Sequence, residues 1–150
     1  MIKLRGTSII EIVIAAALIS VAVIAALSLT NHSQKQNTSA RGLAEATKYN
    51  TQATDWIRSQ RDILGWATIA AKPNNTFCLN SLPSDFNSLP TPGACGASSY
   101  ITGTQYKRQI TLTSSATDKT NGIVKITIDV TWEEKLTRHV TTEMELTSWH

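Results

Sequence analysis

Residues 1–29 read MIKLRGTSIIEIVIAAALISVAVIAALSL, a short basic leader followed by a long apolar segment. Between Ile12 and Leu29 there is no charged residue, no glycine and no proline. Counted from Thr7, the segment has 23 residues. As a helix it extends about 34 Å at 1.5 Å per residue, which is enough to cross a bilayer core of roughly 30 Å. The sequence therefore predicts one helix long enough to span a membrane.

The length and flanks of this segment distinguish it from an ordinary secretory signal. Such a signal has an apolar region of about 7 to 15 residues and then a small-x-small cleavage site, whereas residues 30–34 read TNHSQ. A permanent membrane anchor fits the length, and Lys3 and Arg5 would keep the N-terminus in the cytoplasm. An anchor alone does not explain Glu11, because an ionisable residue in a membrane segment is costly and usually functional.

The junction between the leader and the apolar segment carries a family resemblance. Residues 5–11, RGTSIIE, resemble the leader junction of type IV pilins and of the pseudopilins of type II secretion. In that family a prepilin peptidase cleaves after the glycine, here Gly6, and the fifth mature residue is a glutamate, here Glu11. Thr7 would become the mature N-terminus, where the family usually has a methylated phenylalanine. The implied organisation is a leader at 1–6, a transmembrane and filament-core helix at 7–30, and a small globular domain at 31–150.

Glu11 has a physical role that follows from its surroundings. Removal of the leader takes away two basic residues and creates a cationic amine on Thr7. A carboxylate in an apolar environment needs a cation, and this amine can come from the same helix, four residues away, or from an adjacent subunit. Pairing between subunits would fix their register. The alternative is that Glu11 lies in the headgroup region, where the dipole of a helix N-terminus favours an acid.

Residues 31–65 remain compatible with a helix but become polar. Residues 31–38 predict a weak, bent junction, and Gly65 predicts the end of the helix because glycine readily adopts the left-handed conformation there. Apolar and small residues recur every three or four positions and predict one stripe that packs on the globular domain. The stripe consists of Ala40, Leu43, Ala46, Tyr49 or Asn50, Ala53, Trp56 or Ile57, Gln60, and Ile63 or Leu64.

Residues 66–99 predict a loop, called here the Cys loop. All four prolines of the chain lie in it, together with Gly93 and Gly96, and these residues interrupt helices and strands. Cys78 and Cys95 form an even pair in a region expected outside the cytoplasm, which predicts a disulfide. Closing a loop of this size stabilises the fold by about 3 kcal/mol in the chain-entropy treatment.

Residues 100–150 predict an antiparallel sheet of about three strands, near 106–113, 125–132 and 140–147. In each strand one set of alternating residues is mostly apolar, as in a strand with one buried face. Residues 118–122, DKTNG, predict the turn between the first two strands. A long helix followed by an antiparallel sheet is an α+β fold. The predicted inward-facing residues are Tyr106, Arg108, Ile110, Leu112, Ile126, Ile128, Val130, Trp132, Val140, Thr142, Met144 and Leu146.

Residue placement predicts a protein that is not an enzyme, and the charge gives no nucleic-acid signature, so DNA binding is not favoured. The three histidines are scattered, and there is no glycine-rich phosphate loop or C-x-x-C pair, so no catalytic, cofactor or metal site is predicted. The formal net charge is +3, two of the positive charges belong to the leader, and no dense basic cluster follows.

The resemblance implies a structural subunit, of the minor kind, of a type IV pilus or related pseudopilus. Its partners would be other pilin or pseudopilin subunits, the prepilin peptidase, the inner-membrane assembly platform and, before assembly, the lipid bilayer. The protein would cross the bacterial inner membrane once, with a cytoplasmic N-terminus, and then enter an extracytoplasmic filament. The alternative is a membrane-tethered or pilus-borne binding protein, such as an adhesin or DNA-uptake minor pilin, that acts through the Cys loop.

Overall fold

The computed structural model describes residues 9–148 of the chain and divides it into two compact units that meet between Arg41 and Gly42. They are called here the N-terminal unit and the C-terminal unit. The elements in chain order are α1 (Ile9–Leu64), α2 (Trp66–Ala70), β1 (Thr76–Cys78), a 3₁₀ helix (Phe86–Ser88), β2 (Tyr106–Leu112), α3 (Ala116–Thr120), β3 (Ile123–Glu133) and β4 (Thr137–Thr147).

The N-terminal unit consists of the first part of α1, from Ile9 to Arg41. No glycine or proline occurs from Ile9 to Arg41, which allows an uninterrupted helix. Residues 31–38, predicted as a weak junction, remain helical.

The C-terminal unit has a four-stranded antiparallel sheet in the order β1-β2-β3-β4, on which the second part of α1 packs. This confirms the predicted α+β fold with a long N-terminal helix on a C-terminal antiparallel sheet. The sequence predicted about three strands, and the additional one is β1, which lies inside the predicted Cys loop. β1 has three residues, with Phe77 opposite Ile110 of β2. So short a strand carries no clear alternation and exists because β2 offers it an edge.

The alternation predicted for the sheet is confirmed on β2 and β3. Their inward-facing residues are buried and the intervening ones are partly exposed. On β4 the same alternation is present, but only Leu146 is fully buried. β3 ends at Glu133 and β4 begins at Thr137, so three residues connect the two strands.

The buried stripe of α1 is shorter than predicted. Ala40 and Leu43 belong to the predicted stripe, yet both are exposed, Leu43 to 51%. At the other end, where the stripe allowed Ile63 or Leu64, Leu64 packs against the core and Ile63 is exposed. Three of the buried positions are polar: Asn50, Thr54 and Gln60. The buried residues of the helix are Ala46, Asn50, Ala53, Thr54, Ile57 and Gln60.

Two hydrophobic clusters hold the C-terminal unit together. The larger one includes Ile57 of α1, Phe86 of the Cys loop and Ile128 of β3. The smaller one surrounds Tyr106 and Trp132. Fully burying side chains of this size contributes about 1.5 to 3 kcal/mol each, so the sheet, helix and loop stabilise one another.

Glycines and a capping residue mark the ends and the beginning of helices in the C-terminal unit. Gly65 has a φ of 79° and its N–H donates to the carbonyl of Arg61, which confirms the predicted end of α1. The predicted turn at 118–122 overlaps the end of α3. At the start of α3, the Ser115 hydroxyl accepts from the N–H of Asp118 in a capping box. Gly122, with a φ of 73°, lies directly before β3.

Candidate assembly surface of the N-terminal helix

The first part of α1 exposes apolar side chains around its whole circumference. This surface, residues 9–29, is called here the apolar segment. A helix that is apolar on every side is stable in a bilayer or against other apolar helices. Its large apolar residues are between 52% and 81% exposed: Ile9, Ile10, Ile12, Val13, Ile14, Leu18, Ile19, Val21, Val23, Ile24, Leu27 and Leu29.

Hydroxyl groups in and just after the apolar segment bond within the helix. The Ser20 hydroxyl donates to the carbonyl of Ala16 at 2.8 Å, and the Thr30 hydroxyl donates to the carbonyl of Ala26 at 2.9 Å. A hydroxyl bonded in this way needs no partner outside its own helix, which makes it acceptable in an apolar environment.

Glu11 is the one ionisable residue between Ile9 and Leu29, and its side chain is exposed in the first described turn of α1. Its neighbours three and four positions later on the helix are Ile14 and Ala15, which provide no cation. Within residues 9–148, none of the ion pairs includes Glu11. Its carboxylate therefore requires a cation from elsewhere or contact with water.

The predicted cleavage site, Gly6 and Thr7, lies outside the residues that the structure describes. Cleavage after Gly6 and pairing of Glu11 with the Thr7 amine therefore remain predictions.

The geometry of the apolar segment matches a bilayer. The distance along the helix from Glu11 to Leu29 is about 27 Å at 1.5 Å per residue, close to the roughly 30 Å of a hydrocarbon core. Glu11 thus marks one margin of the apolar band. Within residues 9–148, α1 is the one helix long and apolar enough to cross a membrane.

The predicted disulfide between Cys78 and Cys95 is present, with a Cα–Cα distance of 4.9 Å. It joins Cys95 of the Cys loop to Cys78 at the end of β1. Such bonds persist in oxidising compartments, so this bond favours an extracytoplasmic location for the C-terminal unit.

Two polar side chains of α1 fix the rest of the Cys loop. The N–H of Phe86 donates to the side-chain oxygen of Gln60 at 2.9 Å, and the indole N–H of Trp56 donates to the carbonyl of Pro83 at 3.0 Å. Sequence reasoning placed Gln60 on the stripe but did not identify this contact, because the partner lies 26 residues away in an irregular segment.

A cavity of about 460 Å³ lies beside the disulfide. It has no charged lining residue, so it offers hydrogen bonds to neutral polar groups and no site for a strongly charged ligand. Its polar lining residues are Asn80, Ser81, Ser88, Thr91 and Ser99.

Two buried polar side chains of the C-terminal unit, Asn50 and Arg108, donate to backbone carbonyls. Asn50 is 3% exposed, and its amide donates to the carbonyls of Ile128 and Val140 at 3.2 and 3.1 Å. Arg108 is also 3% exposed and its Nη1 donates to the Tyr49 carbonyl at 3.4 Å, but its Nε has no partner. Burial lowers the pKa of the Arg108 guanidinium, because a low dielectric disfavours the charged form.

Asp118 is the carboxylate whose pKa is shifted most clearly. The Ser115 backbone N–H at 2.9 Å, the Lys125 ammonium at 2.9 Å and the Ser115 hydroxyl at 2.8 Å hold the pKa of Asp118 at about 2. All three contacts stabilise the ionised form. The ion pair with Lys125 joins α3 to β3.

Within residues 9–148, no group of three or more His, Cys, Asp or Glu side chains is arranged to hold a metal ion. Comparison of the chain with known protein families, with curated proteins and with solved structures finds no match. The resemblance of residues 5–11 to the pilin leader junction therefore stays a prediction from the sequence.

Proposed function

We propose that this chain is a structural subunit of a type IV pilus or a related pseudopilus, cleaved after Gly6 and assembled through its N-terminal helix. The observation that carries the proposal is the apolar segment itself, which is exposed on every side and has one acid at its beginning. The leader-like sequence in front of it favours use of this surface first in the membrane and then in a filament.

The apolar segment suits both the membrane and a filament core. Lipid tails and the side chains of neighbouring helices are about equally apolar, so moving the helix from one environment to the other changes its free energy little. The same residues can anchor the subunit in the bilayer first and pack against copies of α1 later.

In the filament, Glu11 pairs with the Thr7 amine of a neighbouring subunit. An apolar helix has no inherent preference for one axial position against its neighbour, whereas a buried carboxylate meets the amine at only one offset. Removing one member of a buried ion pair typically costs about 3 to 5 kcal/mol. Glu11 therefore selects the register of assembly.

The remaining partners follow from this route. A prepilin peptidase and an inner-membrane assembly platform act on the membrane-held form, which crosses the membrane once with its N-terminus in the cytoplasm, as Lys3 and Arg5 favour. The Cys78–Cys95 disulfide supports exposure of the C-terminal unit to an oxidising compartment.

The proposal is tested by replacing Glu11 with alanine and, separately, with glutamine, and by Ser20→Ala as the matched control in the same helix. Both Glu11 variants should reach the membrane and be processed, yet be lost from the sheared filament fraction measured by immunoblotting. Ser20→Ala should enter filaments normally, because the Ser20 hydroxyl bonds only within its helix. Normal incorporation of Glu11→Gln would contradict the pairing role.

The processing step has its own test. N-terminal sequencing and intact mass of filament-derived protein should give a chain that begins Thr7-Ser8-Ile9. Assembled protein that still begins at Met1 would contradict the proposal. Methylation of Thr7 would appear in the same mass measurement.

A second function is favoured by the cavity beside the disulfide, which a binding subunit such as an adhesin could use for a neutral polar ligand. Its test is Ser81→Lys together with Thr91→Lys, both in the cavity lining, with Lys substituted at the exposed Ser59 of α1 as control. If the paired variant enters filaments normally and only adhesion falls, the binding function is supported. If adhesion is unchanged, it is excluded.

A further inference from the structure

The two edges of the sheet differ. β4 is the last strand in the sheet order, and its eleven residues from Thr137 to Thr147 are all paired with β3 on one side. On its other side, no backbone group within residues 9–148 bonds to it. A free edge of this length is a template for pairing with another strand.

The opposite edge, at β1, is covered by the chain itself. β1 has three residues, and the N–H of Gly93 in the Cys loop donates to the carbonyl of Thr76 at 2.7 Å. The disulfide joins Cys95 of the same loop to Cys78 at the end of β1. Of the two edges, β4 is therefore the one that remains available for another strand.

The register of β3 and β4 identifies the backbone groups on the free side. In an antiparallel pair, hydrogen-bonded residue pairs alternate with non-hydrogen-bonded ones. The N–H of Ser148 donates to the carbonyl of Gly122 at 2.8 Å, one position beyond the Ile123–Thr147 pair. Even-numbered residues of β4 therefore bond to β3, and odd-numbered residues from 137 to 147 direct their N–H and C=O groups to the free edge.

The side chains of β4 give this edge an apolar face and an acidic face. On the face directed to α1, Val140, Thr142 and Met144 are only half-buried. On the opposite face, the odd-numbered side chains are exposed and include Glu143 and Glu145. An added strand must therefore cover apolar surface on one face and meet carboxylates on the other.

The two acids of the exposed face are not neutralised within the sheet. Thr127 of β3 lies opposite Glu143, and Lys125 lies opposite Glu145. The Lys125 ammonium, however, forms its ion pair with Asp118 at 2.9 Å. Within residues 9–148, none of the ion pairs includes either acid of β4. Cationic side chains on an added strand would complement them, since opposite charges on neighbouring strands stabilise the pairing.

A second copy of the chain does not provide this strand. Its β1 edge is covered by its own Cys loop. Two β4 strands paired antiparallel about a two-fold axis would make the second parts of the two α1 helices run in opposite directions. This exclusion rests on the proposed function, in which all copies cross the membrane in one orientation. The partner is then a different protein.

We propose that β4 binds an extended segment of another protein in which basic residues alternate with apolar ones. The basic side chains lie beside Glu143 and Glu145 on the exposed face. The apolar side chains cover Val140 and Met144 on the other face. Main-chain hydrogen bonds to the odd-numbered residues of β4 hold the segment, and its side chains determine which segment fits. This binding goes beyond filament assembly, because it does not use the apolar segment.

A labelled peptide with blocked ends and the sequence Lys-Val-Lys-Val-Thr-Val-Thr tests the proposal. Paired antiparallel to β4, it places its two lysines opposite Glu145 and Glu143 and its valines on the apolar face. Fluorescence anisotropy with the full chain in non-ionic detergent micelles should give a Kd on the order of 10 μM. Empty micelles provide the blank. The same peptide with Glu in place of both lysines should bind at least about tenfold more weakly.

N-methylated peptides distinguish main-chain pairing from attraction by charge alone. In this register the first, third, fifth and seventh residues of the peptide direct their N–H groups to β4. N-methyl groups on the third and fifth residues should therefore abolish binding, although all side chains are kept. The matched control has N-methyl groups on the fourth and sixth residues, whose N–H groups point away from β4, and it should bind as the unmodified peptide does.

Thr141→Pro tests the same hydrogen bonds from the side of the protein. The N–H of Thr141 points to the free edge, where proline is tolerated without loss of the β3–β4 bonds. This variant should lose binding while its near-ultraviolet circular dichroism remains that of the parent. Thr141→Ala is the matched control and should bind normally. Both variants lose the exposed hydrogen bond from Thr141 to Asp129, so their difference reports on the N–H.

Replacing both acids of β4 tests the charge complementarity. Glu143→Gln combined with Glu145→Gln should weaken binding of the lysine peptide about fivefold, because two cross-strand charge pairs are lost while the backbone is unchanged. The acidic peptide should then no longer be disfavoured as strongly as it is by the parent chain.

Several results would overturn the proposal. These are failure of the lysine peptide to bind the folded parent chain, equal binding of the acidic peptide, and full binding of the peptide methylated on its third and fifth residues. A folded Thr141→Pro chain that binds normally would do the same. Glu11 lies outside this edge, so Glu11→Gln should bind the peptide as the parent does. Failure of the proposed function and failure of strand addition therefore give different results.

Discussion

Replacement of Asn50 by aspartate tests how α1 is attached to the sheet. The change is nearly isosteric, but it exchanges an amide that donates to two carbonyls, those of Ile128 and Val140, for a carboxylate that cannot donate. Because the shape of the side chain is kept, a loss of stability reports on the changed polar group and not on packing.

The expected loss of stability follows from two contributions. Two hydrogen bonds at about 1 kcal/mol each account for about 2 kcal/mol. At pH 7 the new carboxyl group must also either be buried as an anion without a cation or take up a proton. Either cost, added to the lost hydrogen bonds, raises the loss to about 4 kcal/mol or more. For a domain of about 100 residues this corresponds to a fall of about 15 °C in the melting temperature.

The loss should depend on pH in a defined direction. Burial beside two carbonyl oxygens raises the pKa of the introduced carboxyl group in the folded state above its unfolded value near 4. The folded protein therefore binds the proton more tightly, and the penalty shrinks as the pH falls from 7 to about 4.

The measurement is thermal unfolding of the full chain in detergent micelles, followed by tryptophan fluorescence and near-ultraviolet circular dichroism at pH 7 and pH 4. Gln52→Glu is the matched control, because it makes the same chemical change at an exposed position of the same helix and should alter the free energy of unfolding by less than about 0.5 kcal/mol. A loss below about 1 kcal/mol for Asn50→Asp at pH 7, or an equal loss at both pH values, would refute the reasoning.

Three further measurements address other parts of the C-terminal unit. Replacing Cys78 and Cys95 by serine should lower the free energy of unfolding in urea by about 3 kcal/mol. The disulfide closes a loop with a sequence separation of 17 residues, and without it the unfolded chain gains conformational entropy. An unchanged urea midpoint would contradict this prediction. Arg108→Met should leave the melting temperature equal or higher, because the buried guanidinium has an unpartnered Nε and no acid beside it, and a loss above about 1 kcal/mol would reveal a partner. The pKa of Asp118 is about 2, below its ordinary value of 3.8, so its stabilisation is present above pH 4 and disappears as the pH falls towards 2. Asp118→Asn should therefore flatten the acid limb of the stability profile, and an unchanged limb would exclude this origin.

Local patterns were sufficient to predict most of the elements. The two-residue alternation from Tyr106 to Leu112 predicted β2 and its buried face, and Gly65 predicted the end of α1. The pair Cys78 and Cys95 predicted the disulfide. In each case the signal lies in neighbouring residues or in a chemically unique pair, so no knowledge of distant contacts was needed.

Other features depended on distant contacts and could not be predicted. β1 is a strand only because β2 lies beside it. Leu43 matches the apolar period of α1 and is nevertheless exposed, whereas the adjacent Gly42 is contacted by Tyr106 of β2. Asn50 appeared as one of two choices on the stripe, and its role depends on carbonyls 78 and 90 residues away.

The sequence by itself determined the continuous apolar helix with an acid at one margin, because helix length, hydropathy and the position of Glu11 are properties of consecutive residues. The tertiary structure decided which side chains of the second part of α1 are buried, how the Cys loop is fixed and which edge of the sheet is free. These features require residues far apart in the chain to meet, and periodicity identifies a face without specifying what covers it.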